Sequence, residues 1–184
     1  VCQNGGTAAN CGCNCPNGFS GPLCQNIALP GAALDFDGSN DHVTLANPSS
    51  SFDFNVSSSF SLEAWIKPLD PINQNNGNNN WVMAKLDNTA KGYGLFTSGS
   101  LIQFAVTQNF GAGQILLVQT PSSNILDGAW HHIAATYNGS ADPTGIHIYI
   151  DGVDQSLQVG ANGLTLAMSI QNTVPFTIGT SPFG

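Results

Sequence analysis

Glu63 is the only glutamate in this chain of 184 residues. Cleaving a glycosidic bond generally takes two carboxyl groups held across it, and no Asp or Glu stands two or four residues from Glu63. His131 and His132 are adjacent, so on a strand they project to opposite faces and cannot hold one metal ion together, while His147, on a neighbouring strand, could in principle join one of them. No Gly-x-Ser-x-Gly elbow supplies a serine nucleophile. Packing or hydrogen bonding is therefore the expected role of these histidines, no catalytic residue is assigned, and the chain reads as non-enzymatic. Asp35, Asp37, Asn40 and Asp41 surround Gly38 and offer the hard oxygen ligands that suit calcium, although the same residues make an ordinary acidic turn. Trp65, Trp81 and Trp130 could stack on a sugar ring, but each lies within a β-rich run, where core packing is the expected role.

Composition narrows the partners. Three Lys, no Arg and 11 acidic residues give a formal net charge of -8, and so few cations cannot neutralise a nucleic-acid backbone or grip an anionic lipid surface. Charged residues make up 8% of the chain, so the surface must be built from Asn, Ser, Thr, Gln and Gly. The hydrophobic fraction of 41% suffices for a core, yet no apolar run approaches the roughly 18 residues of a spanning helix. Neither nucleic acid nor membrane insertion is expected.

All five cysteines fall between Cys2 and Cys24. Phe19 and Leu23 are nearly the only apolar residues there, so covalent links must hold this segment together. Cys13 and Cys15 can serve two different bridges from one short hairpin. Thiolate ligation of zinc is the competing reading, which the absence of Cys-x-x-Cys knuckles disfavours. Cys2-x-Asn-Gly-Gly, Cys13-x-Cys15 and Gly18-Phe19-x-Gly21 before Cys24 resemble the second half of an EGF-like module over residues 1–25. That resemblance implies bridges Cys2 to Cys13 and Cys15 to Cys24, with Cys11 paired to a cysteine outside the chain. It also implies that the start lies inside a module.

The elements that must position these residues are strands. From Ala32 onward, short β-rich runs alternate with Gly, Asn, Pro and Asp clusters, and no segment sustains a helical period. The expected strands are 33–36, 42–45, 60–67, 81–86, 92–96, 102–107, 115–120, 130–137, 146–150, 153–158 and 176–178. Phe60, Leu62, Ala64 and Ile66 mark one face, with Ser61, Glu63, Trp65 and Lys67 on the other. Asp151-Gly152 is the strongest hairpin signal, since both residues tolerate the positive φ of a two-residue turn. The fold class is all-β: a two-sheet antiparallel jelly-roll sandwich after a small disulfide-rich module.

The order of Ala33-Leu-Asp-Phe-Asp-Gly-Ser-Asn-Asp-His-Val, Phe60-Ser-Leu-Glu-Ala-Trp-Ile-Lys-Pro68, Trp130-His-His-Ile-Ala-Ala-Thr-Tyr137 and Ile148-Tyr-Ile-Asp-Gly152 closely resembles the laminin-G-like, concanavalin-A-like jelly-roll family. The expected division is a partial EGF-like module at 1–25, a linker at 26–31 and a jelly roll at 32–184. The resemblance implies one structural calcium near the opening loop, with Asp37 and Asp41 as ligands; a second position would fall near Asp87 and Asn88, but its partner acids should follow Gly179, where this chain has Thr180, Ser181 and Pro182. Members usually continue past the strand ending at Gly179 into a final strand that pairs with the opening one. The expectation is therefore an open edge at Ala33–Phe36, filled by chain beyond Gly184 or by a strand from a neighbouring copy. The implied function is a secreted or cell-surface module binding glycan or extracellular protein. The alternative is a subunit or repeat of an extracellular filament or matrix, self-associating through that edge. Residues 74–80 form a polar, Asn-rich insertion, and Asn55 and Asn138 head N-glycosylation acceptor patterns.

Overall fold

A computed structural model describes residues 2–9, 12–15, 19–27, 33–46, 50–68, 79–123 and 125–181. Cys11 and residues 74–78 of the Asn-rich insertion lie outside them. The chain divides into two compact units, Val1–Asp37 and Gly38–Gly184.

In the first unit β1 (Thr7–Ala9) pairs with β2 (Gly12–Asn14), and β3 (Phe19–Ser20) with β4 (Asn26–Ile27). Disulfides join Cys2 to Cys13 and Cys15 to Cys24. The second bridge forms the centre of this unit, for Cys24 is fully buried and its carbonyl accepts a hydrogen bond from Asn4 Nδ2 at 2.9 Å. With so little apolar surface to bury, each bridge restrains the unfolded chain by about 2–3 kcal/mol for loops of this length.

The second unit is a sandwich of two antiparallel sheets. One sheet has four strands in the order β13 (Val153–Asp154), β12 (Ile146–Ile150), β11 (His131–Tyr137) and β6 (Phe60–Ile66). The other has seven: β14 (Gln158–Asn162), β10 (Gln114–Gln119), β9 (Leu101–Asn109), β8 (Gly92–Ser98), β7 (Asn80–Leu86), β15 (Phe176–Ile178) and β5 (Val43–Leu45). Period-two alternation sends Leu95, Phe104, Val106, Leu116 and Val118 inward from the larger sheet. They meet Phe60, Leu62, Ile133, Ala135 and Ile148 of the smaller one. Phe60 stacks on Phe54 at 4.4 Å, and the Tyr137 hydroxyl donates to the Val56 carbonyl at 2.6 Å while accepting from Ala141 N at 2.9 Å. The turn between β12 and β13 has φ of 51° at Asp151 and 80° at Gly152, as the dipeptide predicts.

Two expectations need correction. Residues 33–36 form no strand: the stretch is exposed and pairs with no strand among the described residues, because alternation alone does not make a strand without a partner edge. The smaller sheet instead ends at β6, whose one partner among the described residues is β11. In place of a single strand at 153–158, β13 stops at Asp154 and β14 begins at Gln158 in the opposite sheet.

Candidate functional site

The outer face of the seven-stranded sheet carries a cavity of about 550 Å³, a size suited to a small ligand. Its floor follows from residue size. Cross-strand register aligns Ala84, Gly94 and Ala105 in one row across β7, β8 and β9; Trp81 covers Gly94, and Ala105 lines the cavity. Beside it runs a second row, Leu86, Gly92, Thr107 and Ile115. On the other side Trp81 faces Phe96, with ring centroids 4.4 Å apart.

A β-bulge puts Trp81 there. Trp81 pairs with Phe96 and Met83 with Leu95, so two steps on β7 oppose one on β8. The extra residue turns Trp81 onto the face of Ala84 and Leu86 rather than the core face of Met83 and Lys85. Gly94 then admits the indole: a Cβ there would lie 2.6 Å from Trp81 Cζ3. Phe96, Ala105 and Ile115 form a buried cluster under this surface, with Trp81 packed against it.

The rim is polar and uncharged. Asn79, Asn88, Thr89 and Asn109 line it together with Phe110, which is 60% exposed. Asp87 shapes the 87–91 turn, its Oδ1 accepting from Thr89 N, Thr89 Oγ1 and Lys91 N at 2.9, 2.7 and 3.0 Å. Burial pushes the Asp87 carboxyl up, but these hydrogen bonds and the Lys91 charge outweigh it and hold the group below its usual range. From the core side, Asn172 Nδ2 donates to the Lys91 carbonyl at 2.7 Å and so ties the turn to the sandwich. Asp87 thus shapes a turn and Asn88 lines the rim.

The histidines are separated. His131 is clasped between Asp151 (Nδ1 to Oδ2, 2.8 Å) and Asp127 (Nε2 to Oδ1, 3.0 Å). His132 lies on the outer face of the smaller sheet against Trp65, 3.7 Å from Glu63, which is 72% exposed. His147 pairs with Asp154 at 3.0 Å. Trp65 lies on the outer face, where its alternation with Ala64 and Ile66 places it, and Trp81 is turned outward by the bulge and packs against Phe96, Ala105 and Ile115. Asp37 and Asp41 are exposed, as are Asn55 and Asn138. No group of three or more His, Cys, Asp or Glu side chains able to hold a metal ion occurs among the described residues. No helix in the described residues is long and apolar enough to cross a membrane.

Residues 37–184 match the family model described as the concanavalin A-like lectin/glucanases superfamily. No curated protein matches the chain in sequence. Among solved structures, the binding domain of Paraclostridial Mosquitocidal Protein 1 is 20% identical with a TM-score of 0.56, over 74% of this chain and 32% of that one. The binding domain of botulinum neurotoxin DC, solved in complex with rat synaptotagmin II, is 17% identical with a TM-score of 0.50, over 74% and 31%. Domains LG4-5 of the mouse laminin α1 chain are 15% identical with a TM-score of 0.49, over 78% and 32%. The chain spans about a third of each, and at these identities the first two concern the fold alone.

Proposed function

Because the chain belongs to the concanavalin A-like lectin/glucanases superfamily, whose fold does not fix a ligand, we propose its function from the groove: the module binds a neutral saccharide on the outer face of the seven-stranded sheet. One observation carries the reading, a trough walled by Trp81 and Phe96 and rimmed by Asn79, Asn88, Thr89 and Asn109 without a charged side chain. The C–H face of a pyranose buries against an aromatic wall, and its hydroxyls both donate to and accept from side-chain amides. A charged lining would favour an ionic ligand, and a hydrolase would need carboxyl groups at the bound sugar. The groove is therefore a binding site without catalysis. Titration of neutral oligosaccharides against the intact protein tests it: binding lost in Trp81→Ala is expected, and unaltered binding in that variant would refute the site.

The disulfide-linked first unit is proposed as an EGF-like spacer and the whole as a secreted or cell-surface module, since such bridges persist in oxidising compartments. Calcium at Asp37 and Asp41 is a separate proposal resting on the family resemblance. A second reading, self-association in an extracellular assembly, draws support from β6, a seven-residue strand with one side that pairs with no strand among the described residues. Concentration-dependent sedimentation that disappears when Ala64 or Trp65 is replaced by Pro would support it, and a monomer at all concentrations would exclude it.

A further inference from the structure

The outer face of the four-stranded sheet has its smallest side chain near the middle. Across β6, β11, β12 and β13, Glu63 pairs with Ala134, Ala134 with Tyr149 and Tyr149 with Asp154. Ala134 offers only a methyl group and is partly open to solvent. Glu63 and Tyr149 flank it, each one interstrand gap of about 4.8 Å away. Along β11 the same face carries His132 and Thr136, each about 6.8 Å from Ala134. Longer side chains therefore surround a methyl floor, which leaves a recess.

Two aromatic pairs stand at opposite corners of this recess. Trp65, in register with His132, has its ring 5.3 Å from the imidazole and tilted by 53° rather than stacked on it. On the far side His147 stacks on Tyr149 at 6.1 Å and is anchored to Asp154 at 3.0 Å. Glu63 supplies a carboxylate between them, 72% exposed and 3.7 Å from His132 Nε2, too far for a hydrogen bond. Glu63 and Trp65 stand two residues apart on one face of β6, about 6.8 Å from each other. A cation gains from a ring face within about 6 Å of its centroid and from a carboxylate beside it. Lys67, just past the end of β6, is about 13 Å along the strand direction from Glu63, beyond a Debye length at physiological salt. A planar guanidinium suits this pairing better than a compact ammonium, because it can stack on the indole while turning its N–H edge to the carboxylate. The chain contains no Arg, so a second copy cannot supply that group.

We infer that the outer face of the four-stranded sheet docks an arginine side chain of a different protein. Its guanidinium lies on Trp65 above Ala134, its N–H groups donate to Glu63, and Tyr149 bounds the opposite side. Asp154 adds a second negative charge behind Tyr149. This surface belongs to the sheet opposite the saccharide groove and does not depend on that groove's ligand.

The test is nuclear magnetic resonance of the intact ¹⁵N-labelled protein, reading the indole N–H signals of its three tryptophans, with that of Trp65 assigned from Trp65→Phe. The probes are end-capped Gly-Gly-Arg-Gly-Gly and its lysine and citrulline analogues, the last keeping the shape of arginine without its charge. Millimolar arginine peptide is expected to shift the Trp65 signal and leave that of Trp81 in place, with the lysine and citrulline peptides binding about fivefold more weakly. Glu63→Gln should weaken the arginine peptide by a similar factor. Ala134→Leu, which fills the floor, should abolish the shift. Glu63→Gln changes an exposed side chain and keeps the test valid if Ala134→Leu fails to fold. Trp81→Ala, which removes the saccharide wall, should leave arginine binding unaltered. No shift of Trp65, equal binding of the lysine or citrulline peptide, or binding unchanged in Glu63→Gln overturns this inference and leaves the saccharide groove standing.

Discussion

Lys85 Nζ lies 2.9 Å from Asp53 Oδ1 and is only 1% exposed, on the core side of the strand whose other face forms the groove. The same ammonium donates to the Asn172 carbonyl, Asn172 Oδ1 and the Val174 carbonyl at 3.0, 2.9 and 2.7 Å. Asn172 in turn holds the Lys91 carbonyl. A buried cation thus fixes the 172–174 segment and, through it, the 87–91 turn on the groove rim.

Replacing Lys85 by Met would leave Asp53 and three oxygens without their cation. Removing one partner of a buried pair costs about 3–5 kcal/mol, and the partial exposure of Asp53 places this one near the lower end. Denaturant unfolding of Lys85→Met should show a loss of about 3 kcal/mol, together with weaker saccharide binding through the loosened turn. Wild-type stability would mean that the clasp is dispensable.

Gly94→Ala tests how the groove is formed. The added methyl would come 2.6 Å from Trp81 Cζ3, closer than real carbons approach, so the indole must move. The expected result is a shift of tryptophan emission and a loss of affinity of about tenfold with the fold retained. Unchanged emission and affinity would show that Trp81 does not rest on Gly94 in solution.

These residues show how far a sequence can be read. Phe60, Leu62, Ala64 and Ile66 announce both their strand and their inner face, and Asp151-Gly152 announces its turn, because the information is local. The groove is not local. Trp81 gains its outward position from a bulge against β8, and Gln158 joins Gln103 and Gln119 of the β9–β10 pair in one row only when β14, distant in sequence, comes into register. β14 was hidden for a related reason: Gln-Val-Gly-Ala-Asn has little apolar pattern, and it becomes a strand by pairing with β10. The jelly-roll resemblance supplied the architecture, whereas Ala33–Phe36 carried a strand's pattern without a strand.

The calcium proposal meets a direct test. An ion held by Asp37 and Asp41 stabilises the folded state by mass action. Millimolar calcium should then raise the unfolding temperature, excess chelator should reverse the rise, and Asp41→Asn should abolish it. An unfolding temperature indifferent to both reagents would reduce the loop to a polar turn.

The clasp around His131 predicts a pH dependence with a definite sign. Partial burial lowers the imidazole pKa, but the hydrogen bonds and charges of Asp151 and Asp127 outweigh it and hold the group above its usual 6.5. Asp151 is pushed up by burial and pulled further down by His131 and the His132 N–H, while Asp127 is lowered chiefly by His131. A raised histidine pKa stabilises the fold fully below the unfolded value, and the effect fades as pH climbs through the folded one. The depressed carboxylates contribute above 3.8 and lose their contribution as pH falls through their folded values. The clasp is therefore strongest in the window between those limits, in mildly acidic solution. Because it joins the segment before β11 to the β12–β13 turn, breaking it should destabilise the smaller sheet. The unfolding temperature of His131→Asn should fall below that of the wild type most at about pH 5–6, and the gap should narrow by pH 9. The other histidine–carboxylate pairs are common to both proteins and cancel in the difference. A gap that stays constant from pH 5 to 9 would show that His131 acts through packing rather than through its charge.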